Sequence, residues 1–108
     1  MGKVDSLGVF EQVVFAALLH LGDSAYGASI RSEISERTDR DVSLGAIYIT
    51  LERLEEKGYV SSRMGEATPE RGGRPKRYFR IQAPGLKAFN ETRATMDRMC
   101  LGLGQRMA

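Results

Sequence analysis

The stretch SLGAIYITLERLEEK, residues 43–57, decides the fold, and it runs directly into GYVSSRMGEATPERGGRPKRYFRI, residues 58–81. Its apolar residues recur at spacings of three and four, which predicts a helix with one inward face. Ser43 is a natural N-cap for this helix, and Gly58 suits a left-handed stop at its end. The predicted inward residues are Leu44, Ile47, Leu51 and Leu54.

After Gly58 the period of the pattern changes. YVSSRM (59–64) and KRYFRI (76–81) are short β-leaning runs, and the segment between them concentrates glycine, proline and charge, as a hairpin loop does. This pattern predicts a two-stranded wing that packs on the helices through one apolar face. In the second strand the apolar side carries Phe79 and Ile81, and the polar side carries Tyr78 and Arg80.

Two helices are predicted before this stretch. The first covers residues 7–21, and the second is AYGASIRSEISER, residues 25–37, with Asp23 and Ser24 offering its N-cap. Gly22 separates them, and the short polar link TDRD precedes the third helix. Three helices with short connections indicate a helix-turn-helix. The apolar face of the first helix consists of Leu7, Phe10, Val14, Leu18 and Leu21.

A last helix is predicted from Pro84 to the end of the sequence. Its apolar positions alternate spacings of three and four, which is typical of a heptad seam, with Arg93 as the one charged member. The predicted fold is mainly α with a small β-hairpin. A winged helix-turn-helix DNA-binding domain, residues 1–82, is followed by a dimerisation helix, residues 83–108. The seam consists of Leu86, Phe89, Arg93, Met96, Cys100, Leu103 and Met107.

Charge is distributed unevenly along the 108 residues, although the net charge is only +2. Residues 1–60 hold six Lys/Arg against ten Asp/Glu, whereas residues 61–108 hold ten against four. The basic half is therefore the one that needs a partner. Because the chain is short, with 42% hydrophobic residues, it forms one small domain with a modest core, and part of its apolar surface needs a partner too.

Several classes of function are disfavoured. One cysteine, Cys100, excludes an intramolecular disulfide, and with a single histidine, His20, the chain has too few ligands for a structural zinc site. No nucleophile–base pair and no phosphate-binding loop is present, so neither an enzyme nor a cofactor is predicted. The longest apolar run, residues 13–19, is far shorter than the ~20 residues that span a bilayer. A cytoplasmic protein that contacts no membrane is expected.

Two features favour nucleic acid as the partner. The outward face of the third helix is small or apolar near its N-terminus, with Gly45, Ala46, Ile49 and Arg53, so it can approach base edges in a major groove. The segment 71–80 carries five basic residues and no acid. A basic hairpin alone is often only a solvated surface, but this one follows a helix-turn-helix pattern. For Tyr48, a ring half-buried against helix two and a phosphate contact stay equally open.

These stretches resemble the PadR family of bacterial transcriptional regulators. The similarity is carried by FEQVVFAALLHLGDSAYGASI, VSLGAIYITLERLEEKGYVSSR and TPERGGRPKRYFRI, and it covers residues 7 to about 90. It implies a homodimer that binds a roughly palindromic duplex DNA operator through a recognition helix (43–57) and a basic wing (65–76). The implied DNA-binding residues are Ser43, Gly45, Ala46, Tyr48, Ile49, Thr50, Arg53, Arg71, Gly72, Gly73, Arg74 and Lys76.

The resemblance also implies dimerisation through the first and last helices. Gln82 stands where the family commonly has threonine, which predicts a frayed or displaced start of the last helix. The sequence stops at Ala108, as in the short branch of the family, so no separate effector domain is expected. The predicted dimerisation residues are Phe10, Val14, Leu86, Phe89, Met96, Cys100 and Leu103.

A flat aromatic effector at the dimer centre is a further implication of the resemblance. The tryptophan pair that some relatives use for stacking has no counterpart, because the chain has no Trp. The lining would consist of Phe10, Val14, Phe89 and Met96.

The sequence therefore leaves two hypotheses on function. The first is a dimeric, sequence-specific DNA-binding repressor. The second is a winged helix that serves as a protein-interaction adaptor and does not bind DNA. Binding to duplex DNA that weakens steeply with salt would distinguish the first from the second.

Overall fold

A computed structural model describes residues 6–65 and 75–107 of the chain. The predicted fold class, mainly α with one hairpin and an added C-terminal helix, is confirmed. A short 3-10 turn, Gly22–Ser24, lies between the first two helices. The elements are α1 (Val9–Leu21), α2 (Gly27–Thr38), α3 (Leu44–Glu56), β1 (Val60–Met64), β2 (Arg77–Ile81), α4 (Ala83–Cys100) and α5 (Gly104–Met107).

The core lies between the three N-terminal helices, the hairpin and the first half of α4. Phe15 of α1 stacks on Phe89 of α4 with ring centroids 5.1 Å apart, which ties the last helix to the first. Phe79 is the buried side chain of β2, as its place on the apolar face predicted. The largest fully buried side chains are Phe15, Ile30, Ile47, Leu51, Leu54 and Val14.

Helix α2 begins at Gly27, later than the Asp23–Ser24 cap predicted from the sequence. The residues just before it are extended because they pair with the wing: the carbonyl of Ala25 accepts a hydrogen bond from the Phe79 amide at 2.9 Å. Tyr26 forms an antiparallel bridge with Tyr78. The Tyr26 amide donates a hydrogen bond to Ser29 Oγ at 2.9 Å, so a side chain of the helix's own first turn caps α2 in place of Asp23 or Ser24. Strand β2 is therefore paired on both edges.

The hairpin is antiparallel and in a regular register from Val60 opposite Ile81 to Met64 opposite Arg77. The Gly65 amide donates to the Lys76 carbonyl at 2.7 Å and closes the described part of the wing.

Helix α4 begins directly after Gln82, at Ala83, so the prediction of a frayed or displaced start is wrong. The Gln82 carbonyl accepts from the amides of Gly85 and Leu86 at 3.0 and 3.1 Å. Its side chain gives no cap, because Nε2 donates to Ser61 Oγ at 2.8 Å. The helix ends at Cys100, and Gly102 follows with a φ of 80°. The prediction of one continuous helix to the end was therefore wrong.

Across the described ranges, every helix is too short or too polar to cross a membrane.

Candidate nucleic-acid interface

Helix α3 exposes one face of its N-terminal half. Ser43 Oγ accepts a hydrogen bond from the Ala46 amide at 3.1 Å, so the predicted N-cap is confirmed, and Gly58 adopts a φ of 79° after the helix ends. Ile49 is 57% exposed. Ser43, Gly45, Ile49 and Arg53 are exposed, and Ala46 is half-buried.

The inward and outward faces of α3 differ from the prediction at two residues. Thr50, expected to face DNA, is buried, because it lies three residues after Ile47 and four before Leu54 on the same stripe. Leu44, expected in the core, is 37% exposed, because it lies in the first turn, beyond the core. It borders an open groove of about 520 Å³ between α2 and the start of α3.

The Tyr48 ring lies against the N-terminus of α2. A Cβ at position 27 would come 2.4 Å from the Tyr48 hydroxyl oxygen, so Gly27 is what allows this contact. The ring is half-buried and its centroid is 6.4 Å from that of Phe79. Among the described residues nothing hydrogen-bonds the hydroxyl. The packing interpretation of Tyr48 is thus confirmed, and a phosphate contact of its hydroxyl stays a prediction.

The acidic side chains of α3 lie in its later turns. Glu52 and Glu56 are exposed there. Glu55 is half-buried and occupied, since it accepts hydrogen bonds from Arg77 Nη2 and Ser62 Oγ, both at 2.8 Å. The N-terminal half, by contrast, presents no carboxylate between positions 43 and 51.

Four basic residues of the hairpin are described, and they fall into two kinds. Arg77 and Arg80 have carboxylate partners, Glu55 at 2.8 Å and Asp23 at 3.6 Å. Lys76 and Arg63 instead lie over tyrosine rings. Arg63 was missed from the sequence, although its alternation with buried Val60 on β1 marks it as a polar-face residue. The predicted wing residues Arg71, Gly72, Gly73 and Arg74 lie outside the described residues.

The predicted dimerisation residues divide between core and surface. Val14 is fully buried within the chain and Phe89 is 6% exposed, so both belong to the domain's own core. Leu86 and Met96 are 39% and 61% exposed. Cys100, a predicted seam residue, is an exposed free cysteine, and Phe10 and Leu103 are half-buried. From Arg93 to Cys100 every residue of α4 is exposed.

Single titratable side chains do not add a second kind of site. His20 is exposed in the last turn of α1. Within residues 6–65 and 75–107, no three His, Cys, Asp or Glu side chains come together as metal ligands would.

A helix-turn-helix followed by a hairpin that packs beside its third helix defines a winged helix. The family model of the PadR-like transcriptional regulators matches residues 17–91, and the chain belongs to that family. It is a PadR-like transcriptional regulator and not a member of an enzyme family.

Solved structures share the fold over most of both chains. A transcriptional regulator from Clostridium thermocellum is 26% identical with a TM-score of 0.69, and 82% of this chain and 81% of that one are covered. A PadR-like transcription factor from Bacteroides fragilis is 22% identical with a TM-score of 0.72, with coverages of 92% and 90%. F93 from STIV, a winged-helix DNA-binding protein, is 18% identical with a TM-score of 0.69, with coverages of 91% and 98%. No curated protein matches the chain.

Proposed function

We propose that this regulator is a homodimeric repressor that binds a roughly palindromic DNA operator through α3 and the wing. One observation carries the proposal: one face of the N-terminal half of α3 is solvent-exposed, small or apolar and free of acids, and Ile49 lies on it with 57% of its surface exposed. A helix with this surface can place its backbone close to base edges. F93 from STIV, which has the same fold, is a DNA-binding protein, and this supports the same role here.

The wing supports the proposal through its charge. Lys76 and Arg63 make no ion pair among the described residues, so both cations stay available to phosphates. Arg71 and Arg74 add charge to the wing by sequence. The adaptor hypothesis assigns no binding partner to these cations. It is the alternative that the first experiment tests.

That experiment is a salt titration of binding to duplex DNA. Each phosphate contact releases counterions, so the logarithm of the association constant should fall with the logarithm of salt by about 0.9 per contact. For a dimer with several contacts from each wing we expect a steep slope, and Arg74→Ala should reduce it by roughly one unit per monomer contact. Affinity that does not change with salt would favour the adaptor.

The homodimer is proposed from the surface of α4. The second half of this helix is exposed and still carries large apolar side chains: Met96 and Met99 are 61% and 72% exposed. A projecting helix with such a face is marginal by itself and needs a partner. A second copy related by a two-fold axis would cover the same face on both chains, and it would match the symmetry of a palindromic operator.

Light scattering at micromolar concentration tests the dimer. We expect twice the mass of the chain for the wild type and a lower mass for the double variant Met96→Lys, Met99→Lys. Ala94→Lys, on the opposite side of the same helix, is the matched control and should keep the dimer mass. A wild-type monomer would refute the dimer and the palindromic operator together.

An aromatic effector at the dimer centre stays a prediction from the family resemblance. Of its four expected lining residues, Val14 and Phe89 are enclosed in the core. The lining is thereby reduced to Phe10, whose ring lies 5.8 Å from the Arg40 guanidinium carbon, and Met96.

A further inference from the structure

Two tyrosine rings in contact, each with a cation on it, form a cluster at the base of the wing. The Lys76 ammonium lies 3.9 Å from the centroid of the Tyr26 ring. Tyr26 meets Tyr78 edge to face, with centroids 5.5 Å apart. The Arg63 guanidinium carbon lies 5.0 Å from the Tyr78 ring centroid. We call this set the cation–tyrosine stack.

The backbone fixes the two rings of the cation–tyrosine stack. Tyr26 and Tyr78 form a β-bridge, and Arg63 is the cross-strand partner of Tyr78. Gly65 leaves room for the Tyr78 ring, since a Cβ at position 65 would come 2.6 Å from Tyr78 Cε2. The rings are therefore placed by main-chain pairing, and the two flexible cations rest on them.

The cation–tyrosine stack lies next to α3. Tyr26 immediately precedes Gly27, and a Cβ added at position 27 would come 2.4 Å from the Tyr48 hydroxyl oxygen of α3. A cation held on an aromatic face keeps its full charge, whereas a carboxylate would cancel it. Arg77 of the same hairpin shows that alternative, because it is paired with Glu55 of α3. The two modes predict different contributions to the binding of an anionic partner.

We propose that Tyr26 and Tyr78 are positioning residues that hold the Lys76 ammonium and the Arg63 guanidinium toward the phosphates beside the groove that α3 enters. This inference rests on the proposed DNA binding. It assigns Arg63 as a phosphate contact and gives Tyr26, at the start of α2, a role in orienting the wing.

A double-mutant cycle on Tyr26 and Lys76 tests the inference through DNA affinity and its salt dependence. Lys76→Ala should reduce the salt slope by roughly one unit per monomer contact. Tyr26→Leu should weaken binding about two- to fivefold for each protomer, the effect of a surface cation–π contact. The combined variant should lose less than the product of the two losses, because Tyr26 acts through Lys76. Tyr26→Phe keeps the ring and should restore the affinity.

Arg63 is tested against a matched cation of the same hairpin. Arg63→Ala should reduce the salt slope as Lys76→Ala does. Arg80→Ala is the control, since Arg80 faces Asp23 and should change the slope less. Equal effects at positions 63 and 80 would overturn the assignment of Arg63.

The outcomes separate this inference from the proposed function. A wild type whose binding to duplex DNA does not depend on salt is a failure of the proposed function. If the wild type binds and Lys76→Ala lowers the slope, but the losses of Tyr26→Leu and Lys76→Ala multiply, the positioning role is wrong and the function stands. Should Tyr26→Leu fail to fold, NMR of the wild type decides: the Lys76 ε-methylene protons should be shifted upfield by the ring, and unshifted resonances would overturn the inference.

Discussion

Replacing Gly85 by alanine should destabilise the protein, although alanine is the better helix former. Gly85 lies in the first turn of α4, and a Cβ there would come 2.3 Å from the Tyr59 carbonyl oxygen and 2.9 Å from Phe15 Cε2. Helix propensity alone predicts a gain of about 1 kcal/mol for this change. The contacts predict the opposite sign, so the direction of the effect identifies its cause.

The surroundings of Gly85 have little freedom to move. The Tyr59 carbonyl accepts a hydrogen bond from the Gln82 amide, and the Tyr59 amide donates to the Leu54 carbonyl, both at 2.9 Å. Overpacking such a site costs about 1–3 kcal/mol. In a domain of this size, each kcal/mol lowers Tm by about 4–8 °C. We therefore expect Tm to fall by roughly 5–20 °C, because the start of α4 would no longer pack closely on Tyr59 and Phe15.

Thermal unfolding at a fixed protomer concentration measures this effect, because Tm of the proposed dimer would depend on concentration. Gly104→Ala in α5 is the matched control, since a Cβ at position 104 meets no atom within 4 Å, and it should leave Tm nearly unchanged. A Gly85→Ala variant as stable as the wild type would contradict the observed packing of α4 on Tyr59.

The sequence predicted correctly those helix ends that are determined by neighbouring residues. Helix α3 carried its own N-cap at Ser43 and its own stop at Gly58, and both are present in the structure. The start of α2 was missed because long-range pairing of Tyr26 with Tyr78 keeps the chain extended past the cap that Ser24 offers. No local pattern contains that pairing. The end of α4 was different, since Gly102 stood in the sequence as a stop signal.

The candidate site was predictable in outline only. Periodicity identified a seam in α4, but it could not tell burial within one chain from burial between two chains, and Phe89 proved to be core. The sequence showed that the hairpin is basic, but it did not show which of its basic side chains are paired with a carboxylate. Glu55 of α3 binds Arg77 through a contact that spans 22 positions, whereas Lys76 rests on Tyr26 from a different element. The tertiary fold therefore determines which basic side chains are left without a carboxylate partner.

Changing Ile49 should have the largest effect on operator binding while leaving the fold intact. Ile49 is 57% exposed at the centre of the candidate DNA-contacting face, so substitutions there should alter stability by no more than about 0.5 kcal/mol. We expect the side chain to contact a base edge such as a thymine methyl. Ile49→Ala should therefore change the ranking of operator variants, and binding itself should remain measurable.

Ile49→Glu should weaken operator binding far more, because it removes the apolar contact and places a carboxylate among phosphates. A loss of about 1–2 kcal/mol in each half-site would compound over the proposed dimer to roughly 30- to 1000-fold. Ile49→Gln has the same size without the charge, so the difference between the two variants isolates the repulsion. Competition binding on operator and unrelated duplexes, with Tm as the check on folding, gives the answer. If Ile49→Glu bound the operator as the wild type does, α3 would not enter the groove, and the exposed apolar face would instead belong to a protein partner, as the adaptor hypothesis requires.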